Sequence, residues 1–294
     1  MTARMTARII DGKALAERHR AEVARRVGAL KEAGRPVRLD AVIADEPGGA
    51  AHLYATNQGR GCEALGIEYH LHELGAGADT ASILGCIETL NTDPLVTAMM
   101  AHLPLPGGVD PFVIQSAIAP GKDVEGVNPV NIGNIVYGRS SLVPCTALAA
   151  VTMVESTGIE LRGKTCVIVG ASDIVGKPVA VLLMRAEATV ISCNIFTPDT
   201  PALTREADVV IAAAGVPGLV TASMIRPGAV VVDVGTTRVR DEATGKTRTV
   251  GDVDFEGVSG VAGWISPVPG GVGPMTVAML LVNVVEAAEV AAER

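Results

Sequence analysis

The chain has 294 residues, 48% of them hydrophobic, with one Trp, three Tyr and three Phe and a formal net charge of -8. That length suits two domains, and cores built from Val, Leu, Ile and Ala favour buried parallel strands under helices. The acidic balance without a Lys/Arg cluster argues against a nucleic-acid-binding face, and no apolar run reaches the ~18 residues of a membrane span.

The first ten residues, "MTARMTARII", repeat MTAR and carry no signal-peptide core; the repeat is read as two alternative starts, Met1 and Met5. Residues 11–33 space Leu15, Val23, Val27 and Leu30 among charges, with Asp11 as a cap, and predict an amphipathic helix. A strand is expected over 37–44, a helix over 48–66 despite its glycines, and an alternating strand over 67–74. A capped helix over 79–91 follows, then a buried strand over 95–103 that "PLPGG" stops. This alternation predicts a parallel sheet. A second block holds strands over 164–170, 188–194, 207–215 and 228–235 and a helix over 174–186, which together predict a doubly wound nucleotide-binding domain. Residues 236–252 are polar and read as a surface excursion. The last helix is expected over 274–292. Five cysteines at wide spacing, with no CxxC, argue against a disulfide framework or zinc site and for a reducing compartment.

"VIVGASDIVGKP" puts Gly170, Ser172 and Gly176 at a strand-to-helix turn, where glycines allow close approach and free helix N–H groups attract phosphate. The spacing is GxSxxxG rather than GxGxxG, so the βαβ context carries the reading. The next strand ends in "CNIFT", with no Arg or Lys for a 2′-phosphate, and Ala171 is uncharged. NAD is therefore expected over NADP, although no Asp or Glu marks the ribose. Phe196 is a candidate for stacking on adenine, with plain packing the alternative.

Six stretches then converge: "CIETLNTDPLVTAMMAHLPLPGGVD", "APGKDVEGVNPVNIG", "VPCT", "GKTCVIVGASDIVGKPVAVLL", "GDVDFEGV" and "PVPGGVGPMTVAMLL". They resemble the bifunctional 5,10-methylenetetrahydrofolate dehydrogenase/5,10-methenyltetrahydrofolate cyclohydrolase family over nearly the whole chain. The resemblance implies an α/β protein of two domains around a cleft. One is a folate-binding catalytic domain, residues 1–146, on which a C-terminal helix, 274–294, packs back. The other is a Rossmann-like NAD(P) domain, residues 147–273. It also implies a tetrahydrofolate substrate of one-carbon metabolism, NAD or NADP as cofactor, a cytoplasmic location and a homodimer; the sequence itself shows no sign of a metal site.

Carried over residue by residue, Tyr54 stacks on the folate ring and Glu125 holds the pterin edge. Leu103, Pro104, Pro269, Gly270, Gly271 and Thr276 line the substrate. Gly170, Ala171, Ser172, Ile174, Val175 and Gly176 fall on the cofactor, as do Ala213, Gly215, Asp233, Gly235 and Thr236, with Phe196 the candidate for adenine stacking named above. The loop Pro267–Pro274, with three prolines and three glycines, is then the crossover between domains; Pro274 suits the first helical turn.

The catalytic stretch departs from the family. The lysine four residues after Tyr54 is Gln58, and no lysine lies between Lys31 and Lys122. The family's VQLPLP reads "AHLPLP", with His102, and its DVDG reads "DVEG", with Glu125. Hydride transfer needs mainly positioning, whereas hydrolysis needs acid–base help worth about 10²–10⁴-fold, which Gln58 cannot supply. A dehydrogenase with weak or lost cyclohydrolase activity is therefore expected. The alternatives are a fully bifunctional enzyme using His102 as base, a non-catalytic folate-binding paralogue, and a dehydrogenase for a modified pterin. His102 is expected to hydrogen-bond Gln58 and fill the site.

Overall fold

A computed structural model describes residues 6–46, 48–139, 142–240 and 247–293. Residues 1–5 of the MTAR repeat and 241–246, the centre of segment 236–252, lie outside these.

In chain order the elements are β1 (Arg8–Ile9), α1 (Gly12–Glu32), β2 (Arg38–Ile43), α2 (Ala50–Glu63), β3 (Glu68–Glu73), α3 (Thr80–Thr92) and β4 (Ala98–Ala101), followed by α4 (Pro111–Ala117), α5 (Pro129–Tyr137) and α6 (Cys145–Glu155). Then come β5 (Thr165–Val169), α7 (Gly176–Arg185), β6 (Thr189–Cys193), α8 (Thr200–Arg205), β7 (Val209–Ala212) and β8 (Val230–Asp233). The chain closes with β9 (Thr237–Arg240), β10 (Thr247–Val250), α9 (Phe255–Ser259), β11 (Trp264–Ile265) and α10 (Val272–Ala292).

The chain divides into two compact units. One consists of Arg18–Cys145 with Leu280–Arg294, the other of Met1–Glu17 with Thr146–Met279. The helices α1 and α10 each contribute to both.

In the Arg18–Cys145 unit three parallel strands lie in the order β3-β2-β4. All four residues of β4 and five of six in β2 are buried, the signature of a sheet covered on both faces. The glycines of α2 have a packing reason. A Cβ on Gly59 would come within 2.6 Å of the Tyr69 ring, and Ala55 and Cys62 on the same face are fully buried, so the helix lies directly on β3. Asp79 caps α3 through the Ser82 amide, as its sequence predicts. Arg26 on α1 pairs with Glu289 on α10, which ties the C-terminal helix to this unit.

The second unit carries a six-stranded sheet, β1-β11-β8-β7-β5-β6, in which every pairing is parallel. Its centre, β7 and β8, is wholly buried. The chain leaves β5 toward β6 on one side and returns through β7 on the other. The loops after β5 and β7 therefore meet at a topological switch point, where open α/β sheets bind ligands.

Three expectations need correction. Residues 236–252 are more than an excursion, since β9 and β10 pair as an antiparallel hairpin; the β-branched Thr and Val residues of both strands suit a two-stranded ribbon. The last helix starts at Val272, two residues early. It is also long and apolar enough to cross a membrane by composition, although more than half of that apolar window is buried within the chain. The run "VAMLLVNVV" is interrupted only by Asn283, which hides its length from a strict count of apolar residues.

Candidate active site

In the Arg18–Cys145 unit the carboxyl ends of β2 and β4 place Tyr54 against His102 and near Glu125, with Gln58 one turn along from Tyr54 on α2. The switch point lies between these strands, because β3 and β4 flank β2 on opposite sides. Tyr54 and Gln58 sit four apart on α2, hence on one face. His102 directly follows β4 and anchors its backbone N–H on the Val42 carbonyl at 2.8 Å. The Tyr54 and His102 rings meet edge to face, with centroids 6.0 Å apart at 83°. Tyr54 is 53% exposed, which leaves ring surface for a stacking partner. Leu103 and Pro104, joined by a cis peptide, are exposed beside it.

Beneath this rim the polar groups lack partners. Gln58 and His102 are buried at 8% and 4% exposure. Both ends of the Gln58 amide, Nε2 of His102 and Oε2 of Glu125 are enclosed without a hydrogen bond. The expected Gln58–His102 hydrogen bond is therefore absent. Buried polar atoms are normally satisfied, so these four are open to a polar ligand or to water.

The electrostatics follow from burial. Glu125 keeps some surface, but its Oε2 is enclosed, and desolvation raises its pKa to about 8, with the neighbouring Asp123 carboxylate adding to the shift. Desolvation lowers His102 to about 4. Its imidazole is neutral at physiological pH and a weak base, which counts against His102 as the replacement base. The Tyr54 phenol is raised by desolvation, then by Glu125 and Cys145. At neutral pH these side chains are thus an amide, a neutral imidazole and a mostly protonated acid.

Lys122 does not stand in for the absent lysine. Its Nζ donates to the carbonyls of Leu90, Asn91 and Asp93 at 2.8–2.9 Å, where it pins the end of α3. Asp123 turns its Oδ2 to the Asn128 amide at 2.7 Å and to Asn131 Nδ2 at 3.0 Å, shaping the loop that carries Glu125. Sequence reasoning missed Asn283. This fully buried amide on α10 donates to the Val124 and Val143 carbonyls at 2.8 and 2.9 Å. Its signal was a polar residue inside an otherwise apolar helix, since such a residue needs partners.

In the second unit, the loops after β5, β7 and β8 gather the expected cofactor residues. Gly170 has φ +115, and a Cβ there would strike the Ala213 carbonyl at 2.2 Å. A Cβ on Gly176 would lie 2.0 Å from the Gly170 carbonyl, so both glycines are required by close approach. One detail differs from expectation. The first amides of α7 are already engaged, Gly176 N–H with Ser172 Oγ at 3.3 Å and Lys177 N–H with the Ser172 carbonyl at 3.0 Å. The amides of Ala171 to Val175 find no backbone acceptor among the described residues; with Ser172 and Ile174 exposed, the loop itself, rather than the helix start, fits a phosphate-bearing group. Ala171 adds no charge, and Lys177 is engaged by Asp173.

At the tip of β6, Ile195 and Phe196 are 90% and 84% exposed, which discards plain packing for Phe196. Asp233, at the end of β8, is buried and its pKa is raised to about 6 by desolvation. Its Oδ1 accepts from the Gly235 and Asp252 amides, both at 3.0 Å. Thr236 is exposed beside it. A cavity of about 940 Å³ adjoins Asp233 and Gly251, walled by Pro267, Val268, Val239 and Arg248. In the crossover loop Gly270 has φ +109, and Gly271 lies so close to Gly12 that a Cβ on Gly12 would meet its carbonyl at 1.9 Å. Pro269 is exposed. Thr276 turns its hydroxyl to its own helix, toward the Val272 carbonyl at 3.2 Å.

Comparison with known proteins accounts for both halves. Residues 10–125 match the catalytic domain of tetrahydrofolate dehydrogenase/cyclohydrolase, and residues 144–292 match its NAD(P)-binding domain. A bifunctional protein FolD of Bordetella bronchiseptica is 49% identical over 289 residues, 98% of this chain and 100% of that one. Among solved structures, the bifunctional dehydrogenase/cyclohydrolase of Campylobacter jejuni shares 40% identity at a TM-score of 0.89, over 96% of this chain and 98% of that one. The Trypanosoma brucei enzyme, solved with NADP and an inhibitor, shares 35% at 0.90, over 98% and 99%. The chain belongs to the tetrahydrofolate dehydrogenase/cyclohydrolase family.

Proposed function

We propose that this protein oxidises 5,10-methylenetetrahydrofolate to the 5,10-methenyl cation with a nicotinamide cofactor, NAD in preference to NADP, and hydrolyses the product weakly. The Arg18–Cys145 unit would take the folate and the other unit the cofactor. Tyr54 would stack on the pterin, and Glu125, once ionised, would accept from its amino and amide edge as a paired carboxylate. Leu103 and Pro104 would cover the ring. The turns Gly170–Gly176, Ala213–Gly215 and Asp233–Thr236 would hold the cofactor, whose nicotinamide ring accepts a hydride when bound. A cytoplasmic homodimer is the assembly we expect from the family.

The observation that carries the reading is the buried amide of Gln58 among neutral neighbours. Hydride loss from the bridging methylene leaves a cation shared by two folate nitrogens and requires no proton transfer at carbon. Gln58 in place of a lysine leaves that position uncharged beside a cationic product. Hydrolysis needs proton movement, and here no lysine supports it. The bifunctional names of the relatives favour retention of both activities; the pocket side chains favour loss of the second. The apolar Ile195–Phe196 tip and uncharged Ala171 support NAD, because a 2′-phosphate would find no cation there.

A second reading has its own observation. Glu125, at about 8, titrates near neutrality and suits general acid–base work better than His102. If hydrolysis persists, its rate should titrate near pH 8 rather than near 4. The test is one assay that follows reduced cofactor and methenyl product together, with NAD and with NADP. Accumulating methenyl product supports the first reading. Hydrolysis far above the spontaneous rate refutes it, and no turnover with either cofactor leaves a folate-binding paralogue or a modified-pterin enzyme.

A further inference from the structure

Behind the β7 and β8 turns lies a pair of interlocked carboxylates. Asp252 is fully buried. Its Oδ2 accepts from the Ala214 amide at 2.6 Å and the Gly215 amide at 2.9 Å. Both of those residues are exposed, so the carboxylate holds a surface turn from beneath. Asp252 is fixed in its turn, because its own N–H donates to Asp233 Oδ1 at 3.0 Å and the next amide, Val253, donates to Asp233 Oδ2 at 3.0 Å. The Asp233 amide in turn donates to buried Ser266 Oγ at 2.8 Å. Two glycines make room for this lock. A Cβ on Gly235 would lie 2.2 Å from Asp252 Oδ1, and a Cβ on Gly251 would lie 1.9 Å from Asp233 Oδ2. Neither turn can repack without displacing an acid.

We propose that Asp252 is a positioning residue for the nicotinamide cofactor, holding the Ala213–Gly215 turn in its binding conformation before the cofactor arrives. This rests on the reading of that turn as a cofactor contact. Hydrogen bonds from backbone amides to a carboxylate are stronger than neutral ones, and a turn ordered in advance spares binding the loss of loop freedom. Asp252 has no need to touch the cofactor for this role.

The test uses the full chain. Calorimetric titration with NAD and with NADP, without folate, is paired with native-state hydrogen exchange at the Ala214 and Gly215 amides. In the wild type both amides should be protected despite their exposed residues. Asp252→Ala should weaken cofactor binding about tenfold and deprotect those two amides, with the loss falling on the cofactor KM rather than on kcat. Asp252→Asn, which keeps an oxygen acceptor, should recover most of the affinity. Wild-type amides that exchange at free-peptide rates overturn the proposal without any variant, which covers the case of an Ala variant that does not fold. Equal cofactor affinity in wild type and Asp252→Ala overturns it as well. A wild type that binds neither cofactor overturns the cofactor reading itself, and the proposal with it.

Discussion

On the proposed reading, in which Glu125 holds the pterin edge, binding of the pterin is coupled to a proton on that carboxylate. With its pKa raised to about 8 by burial and by Asp123, most of the free protein carries it protonated at neutral pH. A protonated carboxyl cannot accept two hydrogen bonds from the pterin edge, so binding must draw on the ionised fraction. That fraction is about 3% at pH ~6.5 and about 90% at pH ~9, and apparent affinity scales with it. The dissociation constant of tetrahydrofolate should therefore fall about thirtyfold across this interval, with each pH unit below the pKa costing about 1.4 kcal/mol. Anaerobic calorimetry in buffers of different ionisation enthalpy should also show close to one proton released per folate bound near pH ~7. Glu125→Gln should bind more weakly at high pH and lose the dependence, leaving only the contributions of Asp123, Tyr54 and Cys145. Stability of the ligand-free protein should move the opposite way. The folded state holds this proton more tightly than the unfolded chain, so unfolding free energy falls as pH rises from about 4.5 to about 8, by up to about 5 kcal/mol. A folate affinity that is flat from pH ~6.5 to ~9, or the same slope in Glu125→Gln, would refute the argument.

Three further outcomes are expected. Gln58→Lys should raise methenyltetrahydrofolate hydrolysis about 10²–10⁴-fold, measured by loss of methenyl absorbance. Ala171→Arg should shift the NADP/NAD ratio of kcat/KM about tenfold or more toward NADP, since a charge-assisted contact to the 2′-phosphate is worth about 1.5–3 kcal/mol. Asn283→Leu should strand the Val124 and Val143 carbonyls, lower unfolding free energy by about 2–4 kcal/mol in urea titrations, and raise the folate KM because Glu125 follows Val124 in the loop.

Sequence periodicity located the elements because their faces are simple. The charges around Val23 and Val27, the Asp79 cap and the apolar β5, β7 and β8 runs each encode a local preference, and local preference is what a short window reports. Gln58 was legible for another reason: the absence of any lysine between Lys31 and Lys122 holds in every register. What periodicity could not reach is partnership between distant residues. The β9–β10 hairpin pairs across a polar stretch with no hydrophobic alternation to announce it. The three-carbonyl seat of Lys122, the Asn283 clamp on the Glu125 loop and the Asp252–Asp233 lock each join residues separated by 19 to 159 positions. The sequence by itself determined which side chains are available to the chemistry and which is missing. Tertiary structure alone decided their protonation. Glu125 is raised and His102 lowered because folding removes water from both, and desolvation belongs to the packed environment rather than to any residue's place in the chain.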